Sequence, residues 1–150
     1  MDRIFKLNPK IAFLIFIIID LFCVGMGMGV PFFPILFGFL VGWYIAKRVM
    51  MMTESLKEIL KRVLTYAVIT SLFTFLVMGI IWGPTMVWLF DPKADFKNFG
   101  IPLILYDPKL SFIGWLVLMI FISPFLQLLT TIFASFLTLL IRFNRVNAEL

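Results

Sequence analysis

Three stretches of this chain run without one charged residue: 21–46, 63–90 and 110–141. A fourth apolar run, 11–19, ends at Asp20. About 20 apolar residues of helix cross the roughly 30 Å hydrocarbon layer of a bilayer. Runs of this length have few other stable surroundings. The composition agrees: 63% of the residues are apolar, against roughly 45–50% in a soluble domain. A body of 150 residues is mostly surface and could not hide that much apolar area from water. The expected fold class is therefore all-α integral membrane. It has four transmembrane helices, both ends in the cytoplasm (N-in/C-in), and a single membrane domain over 1–150.

The first span is expected at about 11–29. Arg3, Lys6 and Lys10 precede it in the manner of a signal peptide. No small-residue cleavage pattern follows, so the segment is read as a retained helix. Gly25, Gly27 and Gly29, then Pro31 and Pro34, mark a tight turn. The second span is expected at about 32–49, with Lys47 and Arg48 snorkelling to the headgroups.

Between 55 and 63 the pattern changes. Met52, Leu56, Ile59, Leu60 and Val63 recur at helical spacing, and Glu54, Lys57, Glu58, Lys61 and Arg62 take the other face. Ser55 and Glu58 have capping-box spacing, and Glu58 and Arg62 form an i,i+4 pair. The expectation is an amphipathic cytoplasmic helix at the interface. It holds no Gly or Pro to separate it from the third span.

The third span is expected at 63–82, with a kinked extension to 90 after Gly83-Pro84. An extracytoplasmic loop follows at 91–110, bracketed by Asp91-Pro92 and Asp107-Pro108. Its apolar part, 99–106, is too short to span and is expected to rest on the membrane surface. The fourth span lies within 111–141, with Pro124 the expected kink.

Basic residues set the orientation. Arg3, Lys6, Lys10, Lys47, Arg48, Lys57, Lys61, Arg62, Arg142 and Arg145 fall on the inner side, and Lys93, Lys97 and Lys109 on the outer. The +5 net charge therefore reads as topology and attraction to anionic lipid headgroups, not as nucleic-acid binding. The expected location is the cell membrane.

Several chemistries drop out. There is no histidine and one cysteine, Cys23. Catalytic triads built on imidazole, zinc sites of His and Cys, and an internal disulfide are therefore ruled out within one chain. The methionines read as flexible apolar filler. No catalytic residue, cofactor or metal is expected.

Three glycine pairs have the spacing that lets helices approach in lipid: Gly25/Gly29, Gly38/Gly42 and Gly79/Gly83. They suggest a compact first hairpin packed on the outer end of the third helix.

Asp20 is the most informative residue. It sits mid-span, where a charged side chain costs about 2.5–3.5 kcal/mol, so it should face protein or water. Ser123, Gln127 and Thr131 follow an i,i+4 row on the fourth span, and Thr70 and Thr74 do so on the third. Asp20 is expected to face this stripe, with Gln127 its partner. The favoured reading is interhelical glue in a small accessory, assembly or structural membrane protein. The alternative is a small transporter or channel subunit coupled through Asp20 to a proton or cation. A homo-oligomer or another membrane protein is a possible partner in either case.

Overall fold

The computed structural model describes residues 4–26, 31–53, 55–101, 103 and 105–148, with side chains through 144. The chain is all-helical, with no strand among the described residues. The helices are α1 (Pro9–Met26), α2 (Phe32–Met50), α3 (Leu56–Trp82), α4 (Pro108–Val117) and α5 (Ser123–Ala148). A 3-10 stretch, Gly83–Phe90, extends α3, and a π turn, Leu118–Ile122, joins α4 to α5. Four helical segments are long and apolar enough to cross a membrane: Pro9–Met26, Phe32–Met50, Leu56–Phe90 and Pro108–Asn144.

Local chemistry sets the helix ends. Asn8 caps α1, its Oδ1 accepting the Lys10 N–H at 3.0 Å, and Pro9 suits the first helical position because its missing N–H would be unpaired anyway. Asp107 caps α4 in the same way, accepting the Leu110 N–H at 2.8 Å ahead of Pro108. The fourth helical run therefore begins at 108, earlier than 111.

Ser55 does precede α3, but its side chain makes no capping bond. The capping box is not formed. Glu58 instead accepts from Thr53 Oγ1 at 3.1 Å and from Arg62 Nε at 3.0 Å. Nor is 55–63 a helix of its own. It is the opening of α3, which continues to Trp82 because nothing breaks the backbone hydrogen-bond series.

The kink expected at Pro124 takes the form of the π turn just before it. Proline has no N–H for residue i−4 and its ring crowds that carbonyl. The wider turn relieves this, and the Ser123 N–H bonds Leu118 O instead of the α-helical acceptor.

Contacts fix the helix directions. Arg48, late in α2, bonds Leu7 just before α1, so α1 and α2 are antiparallel. Thr130 bonds Ile35 and Ser135 bonds Gly42, so α2 and α5 run the same way. Ser71 bonds Pro124 and Phe75 packs on Phe121, so α3 opposes α5. The four helical runs alternate, and Lys6, Lys10, Lys47, Arg48, Lys57, Lys61, Arg62 and Arg142 gather at one end.

Two apolar clusters fill the bundle. One holds Phe16, Val41, Val49, Val63 and Leu139 near the basic end. The other holds Val24, Met78, Phe112, Trp115 and Ile120 toward the opposite end. Part of the loop after Phe90 closes over the second cluster: the Phe99 ring lies 4.8 Å from Phe112 and Phe96 lies 5.2 Å from it. The stretch 99–106 is thus not a uniform surface segment. Phe99 and Ile101 turn inward, while Leu103, Leu105 and Tyr106 are exposed.

The glycine pairs divide. A Cβ on Gly42 would overlap the Thr131 carbonyl oxygen, and one on Gly38 would overlap Thr130 Oγ1 and lie 2.7 Å from Gln127 O. This pair is where α2 meets α5. Cβ atoms on Gly25, Gly79 or Gly83 would meet nothing within 4 Å, and Gly29 lies outside the described residues. The expected packing of the first hairpin on the third helix through glycines is therefore replaced by an α2–α5 seam. Hydroxyls reinforce it, since Thr130 and Ser135 reach carbonyls across the close approach that glycine permits.

Candidate functional site around Asp20

Between the two apolar clusters lies a polar layer. On α1 it falls between Phe16 and Val24, on α3 between Val63 and Val77, and on the fourth run between Ile120 of the π turn and Leu139 of α5. Asp20 is at its centre and exposes none of its surface. Thr74 Oγ1 on α3 donates to Asp20 Oδ2 at 2.9 Å, and Gln127 Nε2 on α5 donates to Asp20 Oδ1 at 3.0 Å. One carboxylate thus joins three helices. Thr74 Oγ1 also lies 3.2 Å from Thr70 O on its own helix. Its single hydroxyl proton is shared between a backbone and a side-chain acceptor.

The other polar residues of the stripe have different roles. Thr70 Oγ1 bonds its own helix, 3.0 Å from Tyr66 O and 2.9 Å from Ala67 O. Thr131 Oγ1 bonds Gln127 O at 2.7 Å, which leaves the Gln127 side chain free to face Asp20. Ser123 Oγ is fully buried and has no partner, and Gln127 Oε1 is likewise buried and unpaired.

One residue matters that the sequence did not single out, and another plays a part different from the one expected. Ser71 Oγ donates to Pro124 O at 2.7 Å and ties α3 to the turn after the π segment. No sequence signal marks it, because serine in an apolar helix usually bonds its own backbone. Arg48 was expected to snorkel, and Lys47 is indeed exposed. Arg48 is buried instead. It donates to Leu7 O at 2.6 Å and to Tyr44 Oη at 2.9 Å, and Tyr44 in turn donates to Ile4 O at 3.2 Å. The segment before α1 is held down by these bonds and by Phe5, whose ring lies 5.4 Å from Trp43 and 5.6 Å from Tyr44.

One surface groove is lined by Lys61, Arg62 and Tyr66 and another by Leu72, Phe75, Phe121 and Phe125. Asp20 lines neither. Among the described residues no three His, Cys, Asp or Glu side chains converge. The arrangement around Asp20 can hold helices in register through charge-assisted hydrogen bonds.

No protein-family model, curated protein or solved structure matches this chain.

Proposed function

We propose that this chain is a multi-pass protein of the cell membrane with an assembly, accessory or structural role, and that Asp20 is the tie that registers its helices. The observation that carries the reading is the enclosure of Asp20, with donors from two other helices on its two oxygens. Such a contact holds helices together in an apolar solvent, where an unpaired polar group has no water to turn to.

The basic residues at one end of the bundle support an inward-facing, cytoplasmic end carrying both termini, in contact with anionic lipid headgroups. Single cysteines at Lys10→Cys, Lys97→Cys and Asn144→Cys, on a Cys23→Ser background, test the orientation with a membrane-impermeant thiol reagent on intact cells. Labelling is expected at 97 alone. Labelling of 10 or 144 overturns the orientation.

The role of Asp20 is tested with Asp20→Asn in reconstituted vesicles. Asn keeps an acceptor for one donor, so a tie predicts a folded variant with unchanged proton and cation flux. A flux present in the native protein and lost in the variant would instead establish the transport reading.

A further inference from the structure

We propose that one anionic phospholipid lies lengthwise along α3, its phosphodiester among Lys61, Arg62 and Tyr66 and one acyl chain between Leu72 and Phe125. The inference rests on the reading of the basic end as a contact for anionic lipid headgroups, and names one built site for it.

The two surface grooves form a single path. The polar groove, of about 480 Å³, is lined by Glu58, Lys61, Arg62, Thr65 and Tyr66. The apolar groove is narrower, about 240 Å³, and opens on Val68, Ser71 and Leu72 of α3. Lys61, Thr65, Val68, Leu72 and Phe75 step by four and three residues, so they form one stripe of the helix. Only roughly 4.5 Å of helix rise separates Thr65 from Val68. A polar chamber thus leads directly into a narrower apolar one, in the order of a headgroup and its chain.

The apolar groove has a floor, walls and an end. Ser71 and Pro124 are buried at its floor, where Ser71 Oγ bonds Pro124 O at 2.7 Å. Leu72 and Phe125, 55% and 56% exposed, stand to either side. Phe75 and Phe121, with rings 5.7 Å apart, close the deep end. That end adjoins Thr74, which bonds the mid-span Asp20, so the groove stops near the middle of the membrane. From Val63, the first residue of the charge-free run, to Phe75 is roughly 18 Å of helix. Half of the hydrocarbon layer is about 15 Å. A partner helix would need a seat through both leaflets, whereas an acyl chain occupies one.

Charge selects the headgroup. Lys57, Lys61 and Arg62 outnumber Glu58 at the mouth. Glu58 is already satisfied by Thr53 and Arg62. Lys61 has no hydrogen bond or ion pair among the described residues, and the Tyr66 hydroxyl has no hydrogen bond there. Arg62 turns Nε and Nη2 to Glu58, but Nη1 meets only Met52 Sδ, at 4.0 Å, and a thioether is a weak acceptor. Ammonium, guanidinium and phenol donors are therefore left at the level where the apolar run begins. A phosphate oxygen accepts from all three kinds, and no bond described above has to break.

The test uses the full chain in uncharged detergent micelles, titrated with phosphatidylglycerol or phosphatidylcholine, with bound lipid counted by native mass spectrometry. One phosphatidylglycerol per chain, held in preference to phosphatidylcholine, is expected. No such preference overturns the proposal. Lys61→Gln should weaken retention about fivefold, the worth of one basic residue beside an anionic headgroup. Leu72→Trp should also weaken it, by filling the groove with the charge unchanged. Lys47→Gln removes the same charge from the same end but outside the groove, and should bind as the native chain does. Equal weakening by Lys47→Gln and Lys61→Gln overturns the proposal in favour of diffuse attraction. Competition by inorganic phosphate or soluble glycerophosphoglycerol at the lipid's own concentration overturns it too, because the acyl chain would then add nothing. So does a dimer that Leu72→Trp dissolves while lipid retention is unchanged, since a second copy would then fill the groove. Retention in micelles is blind to which way the basic end faces, so labelling of residue 10 from outside the cell overturns the orientation alone.

Discussion

Gln127 Nε2 lies 3.0 Å from Asp20 Oδ1, across 107 positions of sequence. The Gln127 backbone carbonyl meanwhile accepts the Thr131 hydroxyl at 2.7 Å. One residue thus binds its own helix through the main chain and α1 through the side chain. The contact falls on a lightly packed helix, since α1 buries only Phe16, Asp20 and Val24 among its 18 residues.

Replacing Asp20 with Leu leaves the Thr74 hydroxyl and Gln127 amide buried without their shared acceptor. A loss of about 1–3 kcal/mol is expected, read by reversible unfolding in mixed micelles. Asp20→Asn should cost less, because one acceptor remains. In a double-mutant cycle, Asp20→Leu and Gln127→Leu should couple by about 0.5–2 kcal/mol, since the second change removes the stranded amide. Strict additivity would mean that the contact carries no energy.

The glycines should respond with opposite signs. Gly42→Ala puts a methyl into the Thr131 carbonyl, a backbone atom that cannot move without shifting α5. A loss of about 1–3 kcal/mol is expected from overpacking. Gly79→Ala meets open space and removes a flexible residue from mid-helix, so it should stabilise by about 0.5–1 kcal/mol. Comparison of the two Tm shifts checks the assignment of the α2–α5 seam.

Arg48→Ala should free the segment before α1. Leu7 O and Tyr44 Oη lose their donor, for about 1–3 kcal/mol. Hydrogen exchange at residues 5–7 should quicken while exchange in α5 stays slow. Arg48→Lys should rescue only in part, because an ammonium cannot reproduce the planar fork of the guanidinium.

Asp95 gives the loop after Phe90 a pH dependence. Its side-chain bond with Asn98, and then the backbone N–H groups of Asn98 and Lys97 together with the Lys97 charge, hold its carboxyl below the ordinary value of 3.8. A depressed folded value means that the contribution is complete above 3.8. It fades as pH falls through the still lower folded value, when protonation releases the donors. Amide exchange at 97–98, corrected for intrinsic pH dependence, should lose protection only in that acid range. Asp95→Asn should show weaker protection at neutral pH.

The helices and their approximate limits were legible in the sequence because they depend on one-dimensional quantities. Charge-free runs and Pro124 act through neighbours a few residues away. Asp20 stood out for the same reason, being the lone acid in an apolar run. Periodicity alone put Ser123, Gln127 and Thr131 on a common face. Matching depth singled out Gln127 as the partner of Asp20, whereas which of Thr70 and Thr74 would join it depends on how far α3 rotates and slides against α1.

That choice belongs to the tertiary structure, as do the burial of Arg48, the Ser71–Pro124 bond and the use of Gly38/Gly42 rather than Gly79/Gly83. Gly38/Gly42 and Gly79/Gly83 have the same spacing, yet α5 lies against the first and no neighbour approaches the second. Local sequence determines whether a helix forms and which face is small or polar. Which other helix meets that face is settled by packing the whole bundle at once, where the volume and hydrogen bonds of every contact must be satisfied together.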